Sequence, residues 1–158
     1  MLQVPCYVVI GNHEYSATGV AKIYERIIGP QNYTVSLGNF LIIVLPTDTD
    51  GWVRMKYLEW TENILKKSSE KFKIIAFHHP LFSPKVKESL KSILELRGES
   101  DINKLFTQGY IYSSWNEHPD EAKYLLKIII DYDVRLILAE HIHTDLNVII
   151  KDWKGNKH

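Results

Sequence analysis

A single cysteine, Cys6, among 158 residues excludes an internal disulfide and fits a reducing compartment. Set among apolar neighbours, it reads as a small buried hydrophobe. No apolar run approaches the ~20 residues that a membrane-spanning helix requires. From Met1 to Ile10 there is neither a basic leader region nor a small-residue cleavage pattern, so no secretory signal is expected, and a cytoplasmic location is. An excess of either charge is lacking as well. Nineteen Lys and Arg balance nineteen Asp and Glu, leaving no overall field to gather a polyanion. Neither nucleic acid nor a membrane is therefore an expected partner. Internal repeats and low-complexity linkers are also lacking, and 45% hydrophobic with 24% charged residues is ordinary globular usage. One domain over residues 1–158 is expected, long enough to bury a core without staples.

What the chain does have is an alternation of strand and helix patterns. Val4 to Ile10 is a β-branched and aromatic run closed by Gly11-Asn12, the pattern of a buried strand ending in a tight turn. Val20, Ile23, Tyr24, Ile27 and Ile28 recur at helical spacing and are stopped by Gly29-Pro30. Gln31 to Ser36 and Phe40 to Leu45 read as a hairpin turning at Gly38-Asn39. Arg54 to Lys67 reads as a helix with Val53, Tyr57, Trp60 and Ile64 along one stripe, leading into a strand from Lys73 to Phe77. Lys85 to Leu96 is expected to be helical, whereas Arg97 to Asn116 carries no legible pattern. Pro119 suits the first turn of a helix, Asp120 and Glu121 its positive end, and Ala122, Leu125, Leu126, Ile129 and Ile130 its buried face. Arg135 to Ala139 and Asn147 to Ile150 read as strands, and Lys154-Gly155-Asn156 as a turn whose return strand is not expected within the chain. The alternation predicts an α/β layered architecture.

Five of the seven histidines fall in three loops that directly follow expected strands: Gly11-Asn12-His13-Glu14, His78-His79-Pro80 and His141-Ile142-His143. In open α/β sheets ligands bind beyond the carboxyl ends of strands, where loops converge. Imidazole is the commonest protein metal ligand, and an Asn oxygen adds a neutral, hard donor. A lone histidine past a strand is usually an ordinary surface or hydrogen-bonded residue. Three such loops in one chain point instead to a shared cation.

These three segments resemble those of the calcineurin-like metallophosphoesterases, and the resemblance spans nearly the whole chain. Residues 11 to 14 are similar to that family's Gly-Asn-His-Asp/Glu run, which implies that Asn12 binds a metal and that His13 acts on the leaving group. His78-His79-Pro80 resembles the His-x-Pro segment, whose leading His is a ligand, so His78 rather than His79 inherits that role. Residues 140 to 143 resemble Gly-His-x-His, implying that His141 binds the same metal as Asn12 and His143 the other. The fold implied is a layered β-sandwich flanked by helices. The activity implied is hydrolysis of a small phosphoester, mono- or diester, with two divalent ions (Mn, Fe or Zn). A hydroxide activated by both ions would attack phosphorus while His13 protonates the departing oxygen.

Two departures stand against the pattern. Glu140 occupies the position of the family's Gly and is expected to point to solvent. Only ten residues precede Gly11, so the family's opening Asp-x-His and Gly-Asp-x-x-Asp motifs, with the first strand and helix that carry them, are expected to be missing. Two dications about 4 Å apart repel by roughly 16 kcal/mol at an effective dielectric of about 20. Asn12, His78, His141 and His143 are all neutral donors and offset none of it. The chain alone is accordingly expected to bind at most one metal well and to be nearly inactive, with homodimerisation through the apolar surface left uncovered. The alternative is a non-catalytic metal-binding or interaction domain built on the same fold. Tyr110, Tyr112 and Trp115 read as core packing before a wall of the site, His118 as a helix-start residue, His79 as orienting a ligand or lining the pocket, and Asp48 and Asp50 as turn residues.

Overall fold

The computed structural model describes residues 5–15, 20–47, 49–88 and 93–152. Its main sheet grows from a hairpin. Tyr33–Leu37 (β1) and Phe40–Val44 (β2) pair antiparallel around Gly38, whose φ of +59° is a left-handed value that glycine adopts without steric cost. Helix α2 (Met55–Lys67) carries the chain across to β3 (Phe72–Ala76), which runs parallel to β2 with Ile42 opposite Ile74. A longer crossover ends in helix α6 (Pro119–Asp131) and delivers β5 (Val134–Leu138) parallel to β3, with Ile75 opposite Ile137. The strand order is β1-β2-β3-β5. Beside it, β4 (Ile93–Leu96) and β6 (Ile149–Asp152) form a parallel two-stranded sheet. The molecule is thus mixed α/β, with a small sheet flanked by helices.

Helix α6 anchors the core. Pro119 lies in its first turn, where a missing N–H costs nothing, and Asp120 and Glu121 sit at its positive end. Ala122, Leu125, Leu126, Ile128, Ile129 and Ile130 are buried, and burial of each large one contributes about 1.5–3 kcal/mol. They pack with Ile43, Leu45, Leu58, Ile75, Phe77 and Trp115. Trp115 belongs to the short helix α5 (Ser113–Asn116), which packs on α6. Ahead of α5 come α3 (Lys85–Glu88) and α4 (Glu99–Thr107), within the stretch that carried no legible pattern or was misread.

Several expectations are corrected. Residues 5–10 form no strand: the Val8 carbonyl accepts hydrogen bonds from the Tyr24 and Tyr33 hydroxyls, not from a neighbouring strand. Cys6 is exposed, because that segment lies outside the sheet. The helix at α1 (Val20–Ile27) is present, yet Ile23, Ile27 and Ile28 are exposed and only Tyr24 of the apolar face is buried among the described side chains. In α2 the buried line is Leu58, Thr61 and Leu65, one position beyond the expected stripe, with Tyr57, Trp60 and Ile64 half-buried. Lys85 to Leu96 is not one helix: α3 covers Lys85–Glu88, and Ile93–Leu96 is a strand whose Leu94 and Leu96 are buried and whose Ile93 and Glu95 are exposed. Its parallel partner β6 lies far along the chain, beyond the reach of any local pattern. The turn expected at Lys154-Gly155-Asn156 lies outside the described residues. No helix among the described residues is long and apolar enough to cross a membrane.

Candidate metal centre

Parallel pairing places three loops together. Because β2, β3 and β5 run the same way in register, Val44, Ala76 and Leu138 end side by side. The ladder continues beyond them: Leu45 N–H donates to the Ala76 carbonyl at 2.9 Å, Phe77 N–H to Leu138 at 3.1 Å and Glu140 N–H to His78 at 2.9 Å. Thr47, His78, His79 and His141 therefore emerge at one edge. The fourth contributor is the short 3-10 turn Asn12–Tyr15, closed by Glu14 Oε2 accepting the Gly11 N–H at 2.8 Å. Gly11 is closely approached there: a Cβ would lie 3.1 Å from both Glu14 Oε2 and His78 Cε1.

His78 is the centre of the arrangement. Its Nε2 stands 2.9 Å from Asn12 Oδ1 and 3.2 Å from His141 Nδ1. That nitrogen carries at most one hydrogen, so with the Asn12 amide oriented oxygen-first it cannot donate fully to both neighbours. A cation held among the three atoms would relieve that shortage. Donors on bonds of about 2.0–2.1 Å around a tetrahedral ion are roughly 3.4 Å apart, close to the spacings found. One nitrogen each of His78, His79 and His141 lie within 4.8 Å of one another.

The electrostatics keep these rings neutral. Burial first, then the charge of His141, lowers the pKa of His78, against an opposing pull from Glu140 and Glu14. His79 is pushed down to about 4 by burial, with His141 and His78 adding to it. Burial, then His143 and His13, lower His141. Unprotonated imidazoles offer lone pairs at neutral pH, which is what a metal requires. The donor set of amide oxygen and imidazole nitrogen fits a borderline divalent ion such as Zn²⁺, Fe²⁺ or Mn²⁺.

His141 has φ +66° and His143 φ +50°, left-handed values that are uncommon outside glycine. Ile142 N–H donates to the Glu140 carbonyl at 2.8 Å, closing a three-residue turn around His141. Strained backbone of this kind concentrates at functional sites.

Of the residues singled out by sequence, Asn12, His78 and His141 come together, and His13 is exposed beside them, near enough for its charge to act on His78 and His141. His143 is exposed and lies outside the three-histidine group. The Glu140 side chain is 84% exposed, with Oε2 3.8 Å from His78 Nδ1, too long for a hydrogen bond. Tyr112 stands edge-on to His141 with ring centroids 6.1 Å apart, whereas Tyr110 and Trp115 are buried in the core. His118 precedes α6 and stacks on Trp52 at 3.4 Å. Asp50 is exposed, and Asp48 lies outside the described residues.

Sequence reasoning left His79 and Thr47 out of the donor group. His79 is buried, its Nδ1 is 2.8 Å from the Thr47 hydroxyl, and its carbonyl accepts the Trp115 indole N–H at 3.3 Å. The doubled histidine was the available signal, but only the parallel register of β2 and β3 brings Thr47 to it. In comparisons with known proteins, the chain matches no family model and no curated protein sequence.

Proposed function

We propose that this chain is a metal-dependent phosphoester hydrolase domain of the calcineurin-like type, acting on a small phosphomonoester or phosphodiester. The observation that carries the reading is that Asn12 Oδ1 and His141 Nδ1, from separated loops, stand 2.9 Å and 3.2 Å from the same nitrogen, Nε2 of His78. Bound divalent ions would supply Lewis-acid polarisation of a phosphoryl oxygen. The chain's own residues do the rest. Asn12, His78 and His141 orient the centre, and Glu140 and Glu14 add negative charge on the side of the His78 ring away from the focus. His13, exposed at the rim, is assigned to hand a proton to the departing oxygen. Tyr112, edge-on to His141, forms one wall.

The test is release of nitrophenolate from mono- and diester nitrophenyl phosphates with Mn²⁺ or Zn²⁺ added. Hydrolysis that a chelator abolishes, that His78→Ala abolishes and that His13→Ala reduces about 10²–10⁴-fold supports the reading. Release indifferent to the chelator sinks it. A non-catalytic metal-binding domain is the second reading, favoured by one observation: the histidine group contains no carboxylate among the described residues. Tight ion uptake with no hydrolysis of either ester would select it.

A further inference from the structure

The residue least explained by this reading is His79. It is 4% exposed, in a position where an imidazole with an unused nitrogen is costly. Its ring is fixed on every side. Thr47, itself 0% exposed, holds Nδ1 at 2.8 Å. Gly51 lies so close that a Cβ there would come 3.0 Å from the ring's Cδ2 and 2.8 Å from Ser114 Oγ. Ser114 in turn donates to the Gly51 carbonyl at 2.7 Å, and Trp115 donates to the carbonyl of His79 itself. The ring faces His141 with centroids 4.1 Å apart and His78 edge-on at 4.9 Å. With Nδ1 held by Thr47, Nε2 is the nitrogen the ring can offer to an ion.

From this geometry we infer that His79 is a third imidazole donor, held by Thr47 in the tautomer that leaves Nε2 unprotonated, so that the centre is one amide oxygen and three imidazoles. The inference rests on the metal reading above and deepens it. Four neutral donors hold a single ion with no bridging carboxylate, and a phosphoryl oxygen would enter as a fifth ligand, an expansion of coordination that Zn²⁺ permits. Imidazole-rich shells select Zn²⁺ and Co²⁺ over Mg²⁺ and Ca²⁺, which prefer all-oxygen ligation. The 4.8 Å limit on donor separations exceeds the roughly 3.4 Å between ligands of one four-coordinate ion. Adjustment of His78 and His141 by up to about 1.4 Å closes the difference. Thr47 then plays the outer role that a hydrogen-bond partner commonly plays for a metal-bound histidine, fixing ring orientation and tautomer.

The experiment uses the whole chain, stripped of metal and titrated with Zn²⁺ while histidine ¹⁵N resonances are followed, with Co²⁺ absorption as a second readout. The expected result is that the Nε2 resonance of His79 shifts together with those of His78 and His141, and that Co²⁺ gives the intense visible bands of four-coordinate geometry. His79→Gln is expected to lower Zn²⁺ affinity at least ~100-fold and Thr47→Val about 10–100-fold, with Thr47→Ser close to the starting value. Because His79→Gln can also fail to fold, the resonance shifts of the unsubstituted chain decide the matter. If His78 and His141 respond to Zn²⁺ and His79 does not, the centre stands and this inference falls. If none of the three responds, the metal reading itself falls, and this inference with it.

Discussion

Two clusters of polar side chains lie on this fold, and they balance their charges in opposite ways. Between α2 and α6, Glu62 accepts from the Tyr124 hydroxyl at 2.8 Å and the Tyr132 hydroxyl at 3.0 Å, and Lys66 stands 3.0 Å from it. Hydrogen bonding from Tyr124, then Lys66, brings the Glu62 carboxyl down to about 2, and the same contact pushes Tyr124 up to about 12. Every oxygen there has its hydrogen. At the strand ends Asn12 Oδ1 and His141 Nδ1 share one nitrogen of His78, and the Glu140 carboxylate stands 3.8 Å from the other nitrogen of that ring. The first node is complete in itself, whereas the second is the one proposed above to take up a cation.

Trp115 is buried on α5, which packs against α6, and its indole N–H holds the His79 carbonyl. Trp115→Ala should therefore give the largest effect, about 3–5 kcal/mol of stability lost in urea unfolding, as expected for a fully buried aromatic. A loss below 1 kcal/mol would separate the clusters. Next, His78→Ala should lower Zn²⁺ affinity by ~100-fold or more in calorimetry, while Glu62→Gln leaves it unchanged. Equal losses in both variants would erase the distinction drawn between the nodes. Gly51→Ala should cost about 1–3 kcal/mol, because φ is +95° there and a Cβ meets Ser114 and His79. It should also weaken ion binding several-fold through the displaced ring. The smallest effect belongs to Glu62 and is confined to acid. Its folded pKa lies below the ordinary 4.5, so its contribution is fully present above pH 4.5 and is lost as pH falls toward 2. Unfolding midpoints followed from pH 6 to 2.5 should show that slope, and Glu62→Gln should flatten it.

How far the sequence reached is clearest from α6 and α1. Both carry apolar residues at helical spacing, and both are helices. On α6 the stripe is buried; on α1, Ile27 is 68% and Ile23 49% exposed. Periodicity reports that a helix has an apolar face, and says nothing of what covers it. Ile93–Leu96 shows the converse failure: four residues cannot distinguish strand from helix locally, and pairing with Ile149–Asp152 decided the matter. Val4 to Ile10 had strand composition, but no neighbouring strand pairs with its described residues.

For the candidate site, local chemistry carried more. Strand runs ending in His identify the imidazoles at the ends of β3 and β5, because a polar side chain is tolerated at a strand end and costly within the core, whereas Asn12 follows a segment that is no strand. What the sequence by itself determined is thus the inventory of donors and the crossover helices that force β2, β3 and β5 to run parallel. Only the tertiary structure decided that Nε2 of His78 faces both Asn12 and His141, that His79 turns inward onto Thr47, and that His143 stays at the surface. Those outcomes depend on register between strands distant in the chain and on left-handed turns at His141 and His143, neither of which has a local signature.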